Sequence, residues 1–189
     1  QRKSKNSYFI SDTLSQKISE TKNSQGVFAV CKMKNENISL KTGQKYIALD
    51  NLQDPGNLGT VIRTAEALGI SSVIVGGGCD VFNPKVLRAS MGSVLRLDVF
   101  ECQSLAPVLQ KAKSLGIKTY ATSPDSSAKK INETQFPKSS LCVIGNEANG
   151  VSDEVMNICD ETVTIPMLGR AESLNAHVAG AIVMWEMLR

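Results

Sequence analysis

From Tyr46 to the C-terminus, short apolar runs alternate with segments of helical spacing, and few folds satisfy that alternation. The runs fall at 46–49, 72–75, 97–100, 117–120, 141–144 and 162–165, each bounded by Gly, Pro, Asp or Asn. Between them, 58–68, 84–90, 105–115, 152–159 and 173–188 carry apolar residues three or four apart. Strands that alternate with helices imply an α/β domain whose parallel sheet is covered on both faces. In the last helical segment Leu174, Val178, Ile182, Trp185 and Leu188 form one apolar stripe, expected to face the core or a second subunit.

Upstream the pattern is weaker. Residues 1–25 are polar with sparse apolar positions, a weak helix or a linker, and 26–31 (GVFAVC) reads as a short strand before a Lys/Asn-rich loop. We therefore expect a linker or appended remnant at 1–24 and one main domain over 25–189, a size sufficient for one core. The chain does not begin with Met, so further sequence is expected upstream. No run approaches the roughly 20 apolar residues of a membrane helix and the first residues lack a signal-peptide core, so a cytoplasmic protein is expected. Five cysteines, no two closer than 17 residues, suggest reduced core thiols and no metal site. The net charge is +3, but residues 1–45 hold nine Lys/Arg against three Asp/Glu, so phosphate contacts are expected there and at a few placed arginines.

Ligands in an open parallel sheet bind beyond the carboxyl ends of the strands, which directs attention to the loops there. The first such loop, 50–65 (DNLQDPGNLGTVIRTA), turns through Asp-Pro-Gly into a helix for which Asn57 is the expected N-cap. Gly59 permits close approach of a ligand or another chain, and Arg63, one turn later, suits bidentate grip on a phosphate. The second, 145–154 (GNEANGVSDE), places Glu147 in a Gly/Asn turn where it can accept from a ribose or hold an arginine, with Ser152 capping the next helix. The third, 165–179 (IPMLGRAESLNAHVA), offers exposed backbone to an adenine edge and Met167, Leu168 and Leu174 to its ring; Ser173 or Glu172 is expected to open the final helix. Gly76-Gly77-Gly78 lacks the spacing of a dinucleotide fingerprint and reads as a turn, and no Walker lysine, zinc spacing or nucleophile elbow is present.

These three segments, in this order and spacing, resemble the signature motifs of the SpoU/TrmH-like methyltransferases of the SPOUT superfamily, over residues 46–189. The resemblance implies an α/β-knot fold with a deep C-terminal trefoil knot, one of the rare exceptions to unknotted chains. It also implies a six-stranded parallel sheet and a homodimer with the final helix and the first-motif helix at its interface. Its cofactor would be S-adenosyl-L-methionine and its substrate a ribose 2′-hydroxyl of RNA. The segment 24–30 resembles the junction to an N-terminal RNA-binding domain, which favours 23S ribosomal over transfer RNA. Carried onto this chain, the cofactor residues are Thr122, Ser123, Gly145, Asn146, Glu147, Ile165, Met167, Leu168, Ser173 and Leu174. The catalytic set is Arg63, Asn57, Glu147, Ser173 and Asn175.

The chain departs from the pattern at Ala176-His177, where many relatives carry Val-Ser; His177, the sole histidine, reads as structural. Some accounts of the family make the arginine a general base, but a guanidinium stays protonated, so Arg63 is expected to clamp phosphate and stabilise alkoxide charge. Competing readings are an inactive RNA-binding module of the same fold, a base-nitrogen RNA methyltransferase, and an unrelated doubly wound nucleotide enzyme.

Overall fold

The computed structural model describes residues 6–19, 21, 23–32 and 37–189, and the chain divides into two units, Gln1–Asn35 and Glu36–Arg189. In the first, helix α1 (Asp12–Ile18) starts at Ser11, whose hydroxyl accepts from Leu14 N–H. No strand forms at 26–31: the apolar run has no strand partner among the described residues, and Val27 and Val30 are exposed.

The second unit carries the sheet. Its elements run β1 (Lys45–Asp50), α2 (Pro55–Leu68), β2 (Ser72–Gly76), α3 (Pro84–Ala89), β3 (Asp98–Cys102), α4 (Ala106–Ser114), β4 (Lys118–Thr122), β5 (Lys129–Lys130), β6 (Ser140–Ile144), α5 (Asp153–Ile158), β7 (Glu161–Thr164) and α6 (Ala176–Leu188). All pairings are parallel, in the order β3-β2-β1-β6-β4-β7-β5. The six expected strands are present. The seventh, β5, is a two-residue lysine pair on the edge, too short and polar to register as an apolar run.

Side-chain alternation divides the core into two layers. Ile47, Leu49, Val73, Val75, Cys142 and Ile144 point to the α2/α6 side, and Tyr46, Ala48, Ile74, Leu141 and Val143 point to the α4/α5 side. Strands β2 and β6 are buried at every position, which is why they read as continuous apolar runs. Of the cysteines only Cys142 is a core thiol; Cys31 is exposed and the others are half-buried, and no disulfide joins any of the described residues.

Two glycines are forced by close approach. A Cβ on Gly59 would lie 2.5 Å from Ala89 Cβ and 2.7 Å from the Val86 carbonyl oxygen, so this glycine serves the packing of α2 on α3 rather than a ligand or another chain. Gly78, at φ +81°, would meet the Leu52 carbonyl at 2.3 Å; the triple-glycine segment is the expected turn, laid against the first loop.

After β7 the chain returns across the sheet and lays α6 on α2 and β6, where α6 also meets the 3₁₀ turn Ile131–Glu133 of the β4–β6 connection. This return is compatible with the expected knot. Lys45 fastens the end of α6 by donating its Nζ to the Met187 carbonyl. The face of α6 turned inward is Ala176, Gly180, Val183, Met184 and Met187. The stripe picked out from the sequence is therefore not core: Trp185 is 62% exposed, and Val178 and Leu188 are also exposed. Because α6 is apolar nearly all round, periodicity alone did not distinguish the two faces.

Gly59→Ala is expected to lower stability by about 2 kcal/mol, because a backbone carbonyl cannot yield to the new methyl as a side chain would. Urea denaturation of the two proteins checks it, and equal midpoints would contradict the packing role.

Candidate active site

The first loop positions its residues differently from the expectation. Asp54, not Asn57, caps α2, its carboxylate accepting from Asn57 N–H at 2.8 Å, with Pro55 opening the helix. Asn57 is consequently inside the first turn, 7% exposed, with its amide free to make other bonds. Asn57 Nδ2 donates to Glu147 Oε1 at 2.8 Å, and Asn57 Oδ1 lies 2.9 Å from His177 Nδ1. Both Asp and Asn favour cap positions, and the Asp-Pro pair three residues earlier was the better signal.

Glu147 also accepts from the backbone N–H groups of Gln53 and Asp54, each at 3.2 Å. Partial burial works against its charge, yet the hydrogen bonds from Asn57, its own N–H, Gln53 and Asp54 outweigh burial and hold its carboxyl below the usual glutamate range. It is a carboxylate at neutral pH.

The second loop is folded on itself. Asn146 and Gly150 exchange backbone hydrogen bonds at 2.9 and 3.0 Å, and Asn146 Nδ2 donates to the Asn51 carbonyl, tying this loop to the first. A Cβ on Gly145 would lie 2.1 Å from the Gly150 carbonyl carbon, so only glycine closes this turn. Asp50 at the end of β1 accepts from Ser152 N–H. Ser152 holds the N-cap position of α5, but its side chain makes no capping bond. In the third loop the cap of α6 is Asn175, which accepts from His177 N–H at 3.0 Å; the helix opens there and not at Glu172 or Ser173.

The loops that follow β4, β6 and β7 enclose a cleft of about 530 Å³ at the carboxyl ends of those strands, and the first loop contributes no residue to its wall. Its walls include Thr122, Ser123, Gly145, Asn146, Glu147, Ile165, Met167, Ser173 and Leu174. Leu168 is not on the wall and is fully exposed. Asn57 stands behind Glu147, Asn175 is engaged in its cap, and Arg63 emerges to solvent on α2, without an ion pair among the described residues. Sequence reasoning missed Met156, Val151, Ala176 and Ala179 as apolar wall, because they lie on α5, α6 and a loop end whose orientations only the fold sets. It also missed the contact of His177 with Asn57, across 120 residues.

The wall carries Glu147, Asp153 and Glu172 and, among the described residues, no Lys, Arg or His. Such a cleft repels phosphate and favours a cationic ligand with an apolar body.

The family model described as the SpoU rRNA Methylase family matches residues 44–185. The chain belongs to that family. This SpoU-family chain is 36% identical over 181 residues to a 23S rRNA (guanosine(2553)-2′-O)-methyltransferase of Bacillus subtilis, covering 95% of this chain and 71% of that protein. It is 34% identical over 148 residues to a 23S rRNA (uridine(2479)-2′-O)-methyltransferase of Streptomyces viridochromogenes, covering 76% of this chain and 52% of the other. Among solved structures, the SpoU methyltransferase AviRb of that organism, in complex with AdoMet, superposes with a TM-score of 0.71 at 33% identity, over 79% of this chain and 61% of that one. A TrmH-family protein from Porphyromonas gingivalis superposes with a TM-score of 0.74 at 34% identity, over 81% and 62%. This chain thus spans about three fifths of those solved chains. The family is one of RNA methyltransferases, and its cofactor is S-adenosylmethionine.

Glu147→Gln should lower stability at neutral pH, where the carboxylate's hydrogen bonds are intact. A glutamate whose folded pKa is depressed contributes fully above its ordinary value of about 4.5 and loses that contribution as pH falls through the lower folded value. The gap in urea midpoint between wild type and variant should therefore narrow from about pH 7 to about pH 3. A gap independent of pH would refute the charge assignment.

Proposed function

We propose that this chain transfers a methyl group from S-adenosylmethionine to a ribose 2′-hydroxyl of RNA, and that the RNA is ribosomal. The observation that carries the reading is the cleft wall, with three carboxylates, no cation among the described residues and an apolar lining of Ile144, Ile165, Met156, Met167 and Leu174. That donor set fits a cationic sulfonium and a flat adenine, and it disfavours the pyrophosphate of a dinucleotide. The ribosomal RNA named in the two relatives above supports the substrate class.

S-adenosylmethionine supplies a methyl already activated on a positively charged sulfur. The task left to the protein is to hold two reactants in line. Backbone groups at Gly145, Ile165 and Leu174 would hold the adenine and ribose, and Met167 and Leu174 would cover the ring. Arg63 would grip the RNA phosphate next to the target sugar, outside the acidic cleft, and stabilise charge growing on the 2′-oxygen. Glu147, Ser173 and Asn175 would orient the site, with Asn57 held by Glu147. Residues 1–24 would be the end of an appended RNA-binding unit. A second copy of this chain would cover the exposed apolar face of α6 around Val178, Ile182 and Trp185.

Calorimetry should show saturable binding of S-adenosylmethionine and S-adenosylhomocysteine and none of NAD; NAD binding would overturn the cofactor assignment. Arg63→Ala should keep that binding within about twofold and lower methyl transfer by about 100-fold or more. Nucleoside digestion of the product should yield 2′-O-methylribose. A methylated base would identify a base-nitrogen enzyme instead, and cofactor or RNA binding without transfer would identify an inactive module.

A further inference from the structure

His177 stands in the first turn of α6 between Ala176 and Ala179 of the cleft wall, of which it is not itself a part. Its backbone N–H is taken by Asn175 Oδ1, and its ring Nδ1 lies 2.9 Å from Asn57 Oδ1. The proton on that ring can be located from its neighbours. Glu147 is an ionised carboxylate and can only accept, so the Asn57 amide must turn its NH₂ toward Glu147 and its oxygen toward His177. A carbonyl oxygen cannot donate, so the imidazole hydrogen in that contact sits on Nδ1. The neutral ring then keeps its lone pair on Nε2. Nε2 has no hydrogen-bond partner among the described residues, and the ring is half-buried.

The residues given roles above include no free base, and the wall carboxylates Asp153 and Glu172 belong to a class less basic than imidazole. Arg63 remains a cation and cannot take the hydroxyl proton. Glu147 is occupied by Asn57, Gln53 and Asp54. We infer that His177, through Nε2, receives the proton that leaves the ribose 2′-hydroxyl; the inference rests on the function proposed above. The 2′-oxygen–hydrogen bond breaks with its proton passing to the Nε2 lone pair, and the oxygen's electrons form the new bond to the methyl carbon. The carbon–sulfur bond breaks with its pair retained by sulfur, which becomes a neutral thioether. The imidazolium then returns its Nε2 proton to water. Nδ1–H stays on Asn57 throughout, so Glu147 acts through Asn57 as a positioning residue that holds the tautomer and offsets the imidazolium charge. Charged groups on the surrounding elements are Asp54 before α2, Arg63 and Glu66 on α2, Glu133 in the 3₁₀ turn, Glu172 before α6 and Glu186 on α6.

His177 is the sole histidine, so protein labelled with ¹⁵N-histidine gives a single imidazole spectrum. The neutral ring is expected in the Nδ1–H form, and Glu147→Ala, which frees the Asn57 amide to turn, is expected to admit the Nε2–H form. An Nε2–H ring in the wild type would overturn the inference. The second arm uses His177→Asn, whose amide NH₂ can still donate to Asn57 Oδ1 but which has no basic nitrogen. It should bind S-adenosylmethionine within about twofold of wild type and transfer methyl to an unmodified 23S ribosomal RNA transcript about 100-fold more slowly, with kcat and not KM carrying the loss. Free imidazole should restore part of the rate to His177→Ala. An unchanged kcat in His177→Asn would refute the role. A wild-type chain that binds cofactor yet leaves the transcript unmethylated would count against ribose methylation, and the imidazole spectrum would still decide whether Nε2 is the open acceptor.

Discussion

The arrangement of this molecule depends on β6 lying between β1 and β4, hydrogen-bonded to both along parallel registers and buried on both faces. A central strand of this kind leaves no backbone group unpaired, so its position is settled by an obligatory accounting of donors and acceptors. Parallel pairing then brings the carboxyl ends of β1, β4, β6 and β7 to one edge. The three loops that carry the site chemistry leave from that edge, and β6 supports the middle one. The link between Asn146 and Asn51, and that between Glu147 and Asn57, join loops about 90 residues apart in the chain.

Much of the fold was legible because burial on both faces leaves a strong trace. The runs at 72–75 and 141–144 are apolar without interruption, and they are the strands buried at every position. Strand β5 was illegible for the opposite reason, being two exposed lysines that pair only because β7 runs beside them. The run at 26–31 has strand composition but no neighbour to bond, and composition cannot supply one. The two readings of the α6 stripe, core or subunit contact, stayed open in the sequence because a helix apolar nearly all round has no polar side from which to take a bearing.

At the site, residue types and loop positions could be read, whereas the partners could not. Asn57 looked like a cap because Asn often is one; Asp54 takes that role, and a buried amide is released to orient Glu147 and His177. The electrostatics separate along the same lines. Carboxylates line the cleft and Arg63 stands outside it, exposed on α2, so a cationic and an anionic reactant would be received at separate places.

The route of the C-terminal segment has a consequence for ligand binding. Ser173, Leu174, Ala176 and Ala179 form one wall of the cleft, and the residues opposite them come from the loops after β4 and β6. Until α6 is packed on α2 and β6, the sheet and the other loops are without that wall. Binding in the cleft is therefore coupled to docking of the C-terminal segment, and a ligand held there tightens α6 against the sheet.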